Sequence, residues 1–141
     1  MRRALWVPFA GLLAACADPS ANTHDFAGDW TYTEVLSDIP KGLSCSATGV
    51  YHFNQAGTMV DGYYIQDGVC TTPSGPVSNA DSSSVTMGRV VGRTIAFRAS
   101  TICDYDGTLD LGSGVISGVG TCLIPRTSDT VHLIGNWSAT R

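Results

Sequence analysis

Apolar and polar residues alternate along the chain in short stretches, separated by glycine, proline, serine and asparagine. Alternation with a period of two is typical of β-strands with one buried face. Helix-favouring residues are too sparse for a useful amphipathic helix, whereas the chain has 16 glycines and many threonines and valines. The pattern predicts an all-β protein with eight strands, at residues 26–35, 47–54, 58–66, 85–91, 94–99, 102–109, 115–121 and 133–140.

The connections between the predicted strands alternate in length. Long links cover residues 36–46, 67–84 and 122–132, short links cover 55–57, 92–93 and 110–114, and the short link 100–101 breaks the alternation. In an up-and-down arrangement, successive links lie at opposite ends of the strands. We therefore predict a single antiparallel up-and-down barrel of eight strands, with long loops at one end and tight turns at the other. A β-sandwich is the alternative.

The first and last predicted strands share a pattern. Gly28-Asp29-Trp30 in the first strand has a counterpart in Gly135-Asn136-Trp137 in the last. Pairing these two strands would close the sheet and remove both exposed edges. The alternation in the first strand directs Trp30, Tyr32 and Glu34 to the same, inner face.

The N-terminal segment has the features of a secretion signal. Arg2 and Arg3 precede an apolar run at residues 4–14, which is too short for a permanent membrane span. The run ends in Leu13-Ala14-Ala15-Cys16, which resembles the lipobox of bacterial lipoproteins. The resemblance implies that residues 1–15 are removed, that Cys16 carries the lipid, including palmitate, and that 16–25 form a linker to a barrel domain at 26–141. An ordinary cleaved signal with a chance cysteine is the alternative.

This resemblance also implies a location. The domain would be tethered by its lipid to a membrane of the bacterial cell envelope, in the periplasm or at the cell surface. Exported cysteines oxidise, so the four that remain predict two disulfides. Hairpin register favours Cys45–Cys70 and Cys103–Cys122 among three possible pairings. Their spacing lacks the close pairs that zinc sites prefer, so no metal is expected.

Charge narrows the possible partners. The formal net charge is −4, and the basic residues of the domain are scattered singly along the sequence. Nucleic acid requires a clustered basic face, so it is not an expected partner. The anchoring membrane is the expected one. We expect no cofactor, and we expect a monomer.

The domain resembles a small lipocalin-like barrel of the calycin type. The resemblance rests on Gly28-x-Trp30 in the first strand, on eight antiparallel strands, and on Arg141 at the end of the last strand. Lipocalins often place a basic residue there, over the first-strand tryptophan. An eight-stranded barrel is wide enough to be filled by its own side chains or to hold one small ligand.

Few residues suggest chemistry. His24, His52 and His132 do not assemble with a serine or cysteine into a catalytic set, so the protein is not expected to be an enzyme. The acidic residues around Asp104 lack the spacing of a calcium loop and are predicted to lie in a strand entering a hairpin. Tyr32, Tyr51, Tyr63 and Tyr64 are expected mainly to fill the barrel.

Tyr32, Glu34 and Tyr64 are the candidate ligand-binding residues. Glu34 is expected at the solvated rim, and the alternative is a buried carboxylate that orients a ligand or acts as a base. Two functions are the main candidates. The first is a barrel that binds a small apolar or amphipathic ligand at its open end, or that serves as an envelope structural module. The second is a protein-interaction module such as an inhibitor of an exported protease. An empty apolar lumen would favour the first, and an exposed apolar patch the second.

Overall fold

The computed structural model describes residues 23–141. The predicted signal peptide, the lipidation residue Cys16 and most of the predicted linker lie outside the described residues. The strands are β1 (Gly28–Asp38), β2 (Leu43–Ala56), β3 (Met59–Thr72), β4 (Gly75–Ser78), β5 (Asp81–Val91), β6 (Thr94–Ala99), β7 (Cys103–Asp110), β8 (Val115–Pro125) and β9 (Thr130–Thr140), with one 3-10 turn at Ile39–Lys41. Within this range, no helix is long and apolar enough to cross a membrane.

Eight of these strands form a closed antiparallel barrel. Strands of the ring pair in chain order, except that β3 pairs with β5, because β4 pairs only with β3. The β1–β9 pairing joins the first strand to the last and closes the ring. In the closing pair, Tyr32 lies opposite Ala139 and Glu34 lies opposite Trp137. The predicted up-and-down barrel and its closure by the first and last strands are confirmed, and the β-sandwich alternative is excluded.

The predicted long loops are wrong in their extent. Within predicted loop 36–46, β1 continues to Asp38 and β2 begins at Leu43, so only residues 39–42 connect them. The predicted loop 67–84 contains the rest of β3, the additional strand β4 and the start of β5. The alternation continues through these segments, with Leu36 and Cys45 facing inward. It was not recognised from the sequence because the outward residues, such as Ser37 and Ser46, are small and polar and are also common in loops. Pairing of the extended strands satisfies their backbone groups.

The two ends of the barrel differ. We call the end with connections 39–42, 73–80, 100–102 and 126–129 the bridged end, because both disulfides lie near it. The opposite end, with turns 57–58, 92–93 and 111–114, is the tight-turn end. The described chain enters at the tight-turn end, where the His24 amide donates a hydrogen bond to the Gly92 carbonyl at 2.8 Å.

Residues of the predicted linker take part in closing the tight-turn end. Phe26 is fully buried, and its amide donates to the side-chain oxygen of Gln55. Arg141 donates to the carbonyls of Asp25 and Ala27, and its guanidinium carbon lies 4.7 Å from the centre of the Trp30 ring. The contact expected between Arg141 and Trp30 is therefore present. His24 and Asp25 belong to the barrel rather than to a free linker.

Aromatic side chains fill most of the lumen. Tyr51 lies at its centre, with its ring stacked on Tyr32 at 4.1 Å and in edge contact with Phe97 at 5.0 Å and with Trp137 at 5.9 Å. Inward-facing glycines make room for these rings: a Cβ atom on Gly120 would lie 2.6 Å from the Tyr105 ring. Large and small residues thus alternate across the lumen, as close packing requires.

Candidate functional site

The two disulfides lie on the inner face near the bridged end. Cys45 pairs with Cys70 across β2 and β3, and Cys103 pairs with Cys122 across β7 and β8. Each bridge joins residues that are directly opposite in register, as the hairpin argument predicted. The predicted pairing is confirmed, although Cys45 and Cys70 lie within strands rather than beyond their ends.

A cavity of about 100 Å³ lies between these bridges at the bridged end, and we call it the bridged-end cavity. All four bridged cysteines line it, together with Leu36 and Leu133 on the walls and the rings of Tyr51, Tyr64 and Tyr105. A water molecule occupies about 30 Å³ in the liquid, so the space holds about three waters. It is well below the roughly 300 Å³ at which pockets for drug-sized ligands begin.

Glu34 lies inside the barrel, so the expectation of a solvated rim position is wrong. Glu34 is only 7% exposed, and its carboxylate accepts a hydrogen bond of 2.7 Å from the Tyr105 hydroxyl. Because β1 continues four residues beyond Glu34 to Asp38, the position that the sequence placed near a strand end is inside the ring. Glu34 also lines the bridged-end cavity.

Burial changes the acidity of this pair. It raises the pKa of the Glu34 carboxyl, while the hydrogen bond from Tyr105 opposes that rise by stabilising the charged form. The pKa of the Tyr105 hydroxyl is raised as well, first by burial and then by the negative charge of Glu34. Tyr105 therefore remains a hydrogen-bond donor to Glu34 across the ordinary pH range.

The other two candidate residues take different positions. Tyr64 lines the cavity, and its hydroxyl donates to Asp81 at 2.5 Å. Burial and the bond to Asp81 raise the pKa of the Tyr64 hydroxyl. Tyr32 does not line the cavity; its hydroxyl donates at 2.8 Å to Gln66, whose amide in turn donates to the Asn79 carbonyl.

Tyr105, Gln66 and Asp81 belong to this site but were not predicted from the sequence. Tyr105 had a usable signal, because the alternation in β7 directs it inward with Gly107 and Leu109. Gln66 is an inward-facing polar residue at the end of a predicted strand. Asp81 had no such signal in the sequence, because it lay within a predicted loop. In the structure it begins β5 and lines the cavity.

The bridged-end cavity has a one-sided charge. Two carboxylates, Glu34 and Asp81, line it, and its described lining contains no lysine, arginine or histidine. The polar atoms of Gln66, Asn79 and Ser100 add further hydrogen-bonding groups. The arrangement therefore favours a positively charged or hydrogen-donating occupant over an anion.

Glu34→Gln should remove a pH dependence of stability. Because the pKa of folded Glu34 is raised, the folded state holds this proton more tightly than the unfolded state. The free energy of unfolding therefore falls as the pH rises from the carboxyl's unfolded pKa through its folded one, by about 1.4 kcal/mol for each pKa unit of difference. The glutamine variant should be more stable than the wild type at neutral pH and equal to it in acid, as measured by urea unfolding between pH 3 and 8.

Tyr105→Phe is the matched control for this prediction. It removes the hydrogen bond that favours the charged carboxylate, so it should raise the pKa of Glu34 further and steepen the loss of stability with pH. The double variant should lose this slope. Parallel stability curves for the wild type and Glu34→Gln would contradict the assignment.

Apolar side chains are exposed on the outer wall near the same end. Val35 is 56% exposed, Ile39 86% and Ile134 55%. They line a single shallow groove of about 510 Å³ that crosses β1 and β9, and we call them the outer patch. A second groove shares Val35 and extends to Val69 on β3. Contiguous exposed apolar residues of this kind are typical of protein-binding surfaces.

The histidines lie apart from the cavity. His52 is on the outer wall, 2.5 Å from an Asp29 oxygen and stacked on the Tyr63 ring. Tyr63 is 49% exposed there, so the expectation that it fills the barrel is wrong. His24 is at the tight-turn end, and His132 is exposed. Asp104 lies in β7, as predicted, and forms a two-point ion pair with Arg98. From residue 23 onward, no three histidine, cysteine, aspartate or glutamate side chains converge on a possible metal position.

Comparisons with known proteins gave no match for the chain, whether against protein-family models, curated proteins or solved structures.

Proposed function

We propose that this protein is a lipid-anchored lipoprotein of the bacterial envelope whose non-enzymatic barrel binds a small ligand at its bridged end. The observation that carries the proposal is that the two ends of the barrel have different roles. The described chain enters at the tight-turn end, where His24 is fixed against Gly92, and the bridged-end cavity opens at the other end. An anchor on Cys16 would thus leave the cavity facing away from the membrane.

The length of the tether supports this orientation. Seven residue steps separate Cys16 from Thr23, the first described residue. A fully extended chain covers at most about 3.6 Å per residue, so the lipid would lie within about 25 Å of the tight-turn end. The domain would remain close to the membrane surface, in the periplasm or outside the cell. Recognition often takes place at the end of a rigid scaffold in this way.

The cavity favours an amphipathic ligand over a purely apolar one, both of which the sequence left open. Its walls are apolar, formed by the bridges, Leu36 and Leu133, but it also presents the Glu34 carboxylate. The empty apolar lumen that would favour a large apolar ligand is not present, because aromatic rings fill it. The proposed ligand binding therefore depends on the bridged-end cavity alone. A small ligand with an apolar stem and a polar head is the better match. The three histidines lie away from the cavity, which supports a binding role rather than catalysis.

Cys16→Ser should release the protein from membranes. The variant lacks the thiol that carries the acyl chains, and each buried methylene contributes about 0.8 kcal/mol to membrane binding. In a fractionated bacterial host, the wild type should sediment with membranes and the variant should be soluble. Ser20→Ala, a neighbouring change that retains the thiol, should stay with the membranes. An intact mass of the native protein with an unmodified cysteine would contradict the anchoring.

The outer patch favours a second candidate function, a protein-interaction module such as an inhibitor of an exported protease. Val35, Ile39 and Ile134 lie beside the bridged end, so a partner covering them would also reach the cavity. A partner's side chain would then enter the cavity while its surface covers the patch. In that case the cavity should bind a lysine side chain of a peptide more tightly than a free amine, and a titration with both compounds would measure the difference.

A further inference from the structure

We propose that the bridged-end cavity binds an alkylammonium group, with Glu34 as its counter-ion and the rings of Tyr51, Tyr64 and Tyr105 around it. This inference rests on the proposed binding role of the bridged end, and it names the chemistry of the ligand. Its basis is the combination of a small cavity open at one end of the barrel, a buried carboxylate that lines it and a lining without a cation.

The charge of the cavity selects the head group. Glu34 has a single hydrogen-bond donor in the barrel, the Tyr105 hydroxyl, and that donor is neutral. The groups that face Glu34 from β1, β2, β3 and β7 are the hydroxyls of Tyr32, Tyr51, Tyr64 and Tyr105, and Asp81 at the start of β5 adds a second carboxylate. A buried carboxylate is stable when it is paired, and an ammonium group supplies the missing charge with three donors.

The rings strengthen this selection. Tyr51, Tyr64 and Tyr105 all line the cavity, and the Tyr51 ring is 6.1 Å from Tyr64 and 6.2 Å from Tyr105. An aromatic ring attracts a cation that lies over its face. An anion would gain no such attraction and would meet two carboxylates.

The size and walls of the cavity select the rest of the ligand. An apolar cavity of about 150 Å³ holds benzene, which has six non-hydrogen atoms, so a volume of about 100 Å³ takes about four. One nitrogen and two or three methylene carbons fit this space. The sulfur atoms and leucine side chains of the walls suit a methylene stem, which can bury its carbons while its head is paired. A free small amine and the end of a lysine side chain share this chemistry.

The test is a titration of the full chain, purified in detergent, with three probes of one size. These are n-propylammonium, the neutral 1-propanol and the anion propionate, each followed by NMR shifts of the backbone amides of Glu34, Tyr64 and Cys103 at neutral pH. We expect saturable binding of propylammonium with a Kd on the order of 1 mM, a plausible value for so small a ligand. The alcohol and the carboxylate should bind at least about tenfold more weakly.

Variants locate the site. Glu34→Gln should weaken propylammonium binding at least about tenfold, and it keeps an oxygen that accepts the Tyr105 hydrogen bond, so the barrel stays folded. Asp81→Asn should weaken binding less, because Asp81 is exposed. Asp110→Asn makes the same charge change at the tight-turn end and should leave the Kd unchanged.

A fourth probe, lysine blocked at both its amino and carboxyl ends as amides, separates the two sources of the ammonium group. Tighter binding of blocked lysine than of propylammonium assigns the cavity to a side chain of a protein partner. The reverse order assigns it to a free amine. Either order supports the ammonium site.

The remaining outcomes overturn the inference in distinguishable ways. If 1-propanol binds as well as propylammonium, or if Glu34→Gln binds as well as the wild type, the ammonium site is wrong while ligand binding at the bridged end stands. If no probe shifts the amides, both the ammonium site and the proposed ligand-binding function are overturned.

Discussion

Replacing all four bridged cysteines with alanine should lower the free energy of unfolding by about 6 kcal/mol. The bridges span 25 and 19 residues, and the chain-entropy relation gives each loop of this size about 3 kcal/mol. The two loops do not overlap in sequence, so their contributions should add. A domain of this size has a total stability of about 5 to 15 kcal/mol, so a loss of about 6 kcal/mol removes between about two fifths and all of it.

Urea unfolding, followed by tryptophan fluorescence, measures this effect. The Cys45→Ala/Cys70→Ala and Cys103→Ala/Cys122→Ala variants should each lose about half of the total. Ser46→Ala, an exposed change beside Cys45, should shift stability by less than about 0.5 kcal/mol. An unchanged urea midpoint after full reduction of the wild type would show that strand pairing alone holds the bridged end.

The pairing of the cysteines was predictable because it depends on local register. A hairpin that turns near Gly57 brings Cys45 opposite Cys70, and one that turns near Gly112 brings Cys103 opposite Cys122. Alternation determines which face each residue occupies, and tight turns determine the register, so both follow from short stretches of sequence. The closure of the barrel was predictable from a different feature, the pattern that the first strand shares with the last.

The strand ends were not predictable by the same reasoning. Near the bridged end, β1, β2 and β3 continue through serine, threonine and glycine, which are also common in loops. Pairing with neighbours extends these strands, and pairing is a property of the assembled sheet. The strand β4 likewise forms because residues 75–78 meet the free edge of β3, opposite residues 69–72.

The wrong position assigned to Glu34 follows from these strand ends. A carboxylate near the end of a short strand is expected to reach water. In the longer strand it is inside the barrel, and its hydrogen-bond donor is Tyr105, which is 71 residues away in the chain. No local pattern links these two residues. The candidate site could therefore be predicted as far as the inward direction of Glu34 and Tyr64, and its polar contacts required the fold.

Trp137→Ala should lower the free energy of unfolding by about 3 to 5 kcal/mol. Trp137 is 2% exposed and contacts the rings of Tyr51, Phe97 and Tyr105, so its removal leaves a void at the centre of the lumen. Its indole also donates to the Asp106 carbonyl at 2.8 Å, a bond that alanine cannot replace. Thermal and urea unfolding of the variant measure the loss.

Trp137→Phe separates the contribution of packing from that of the hydrogen bond, and Ile134→Ala serves as a control. Trp137→Phe keeps most of the ring volume and removes the donor, so its loss should be smaller than that of Trp137→Ala. Ile134→Ala, on the same strand but more than half exposed, should change stability by less than about 0.5 kcal/mol. Equal losses for Ile134→Ala and Trp137→Ala would mean that the aromatic filling of the lumen does not stabilise the barrel. A loss for Trp137→Ala that is absent from Ile134→Ala would instead show that the aromatic side chains in the lumen stabilise the barrel that carries the bridged-end cavity.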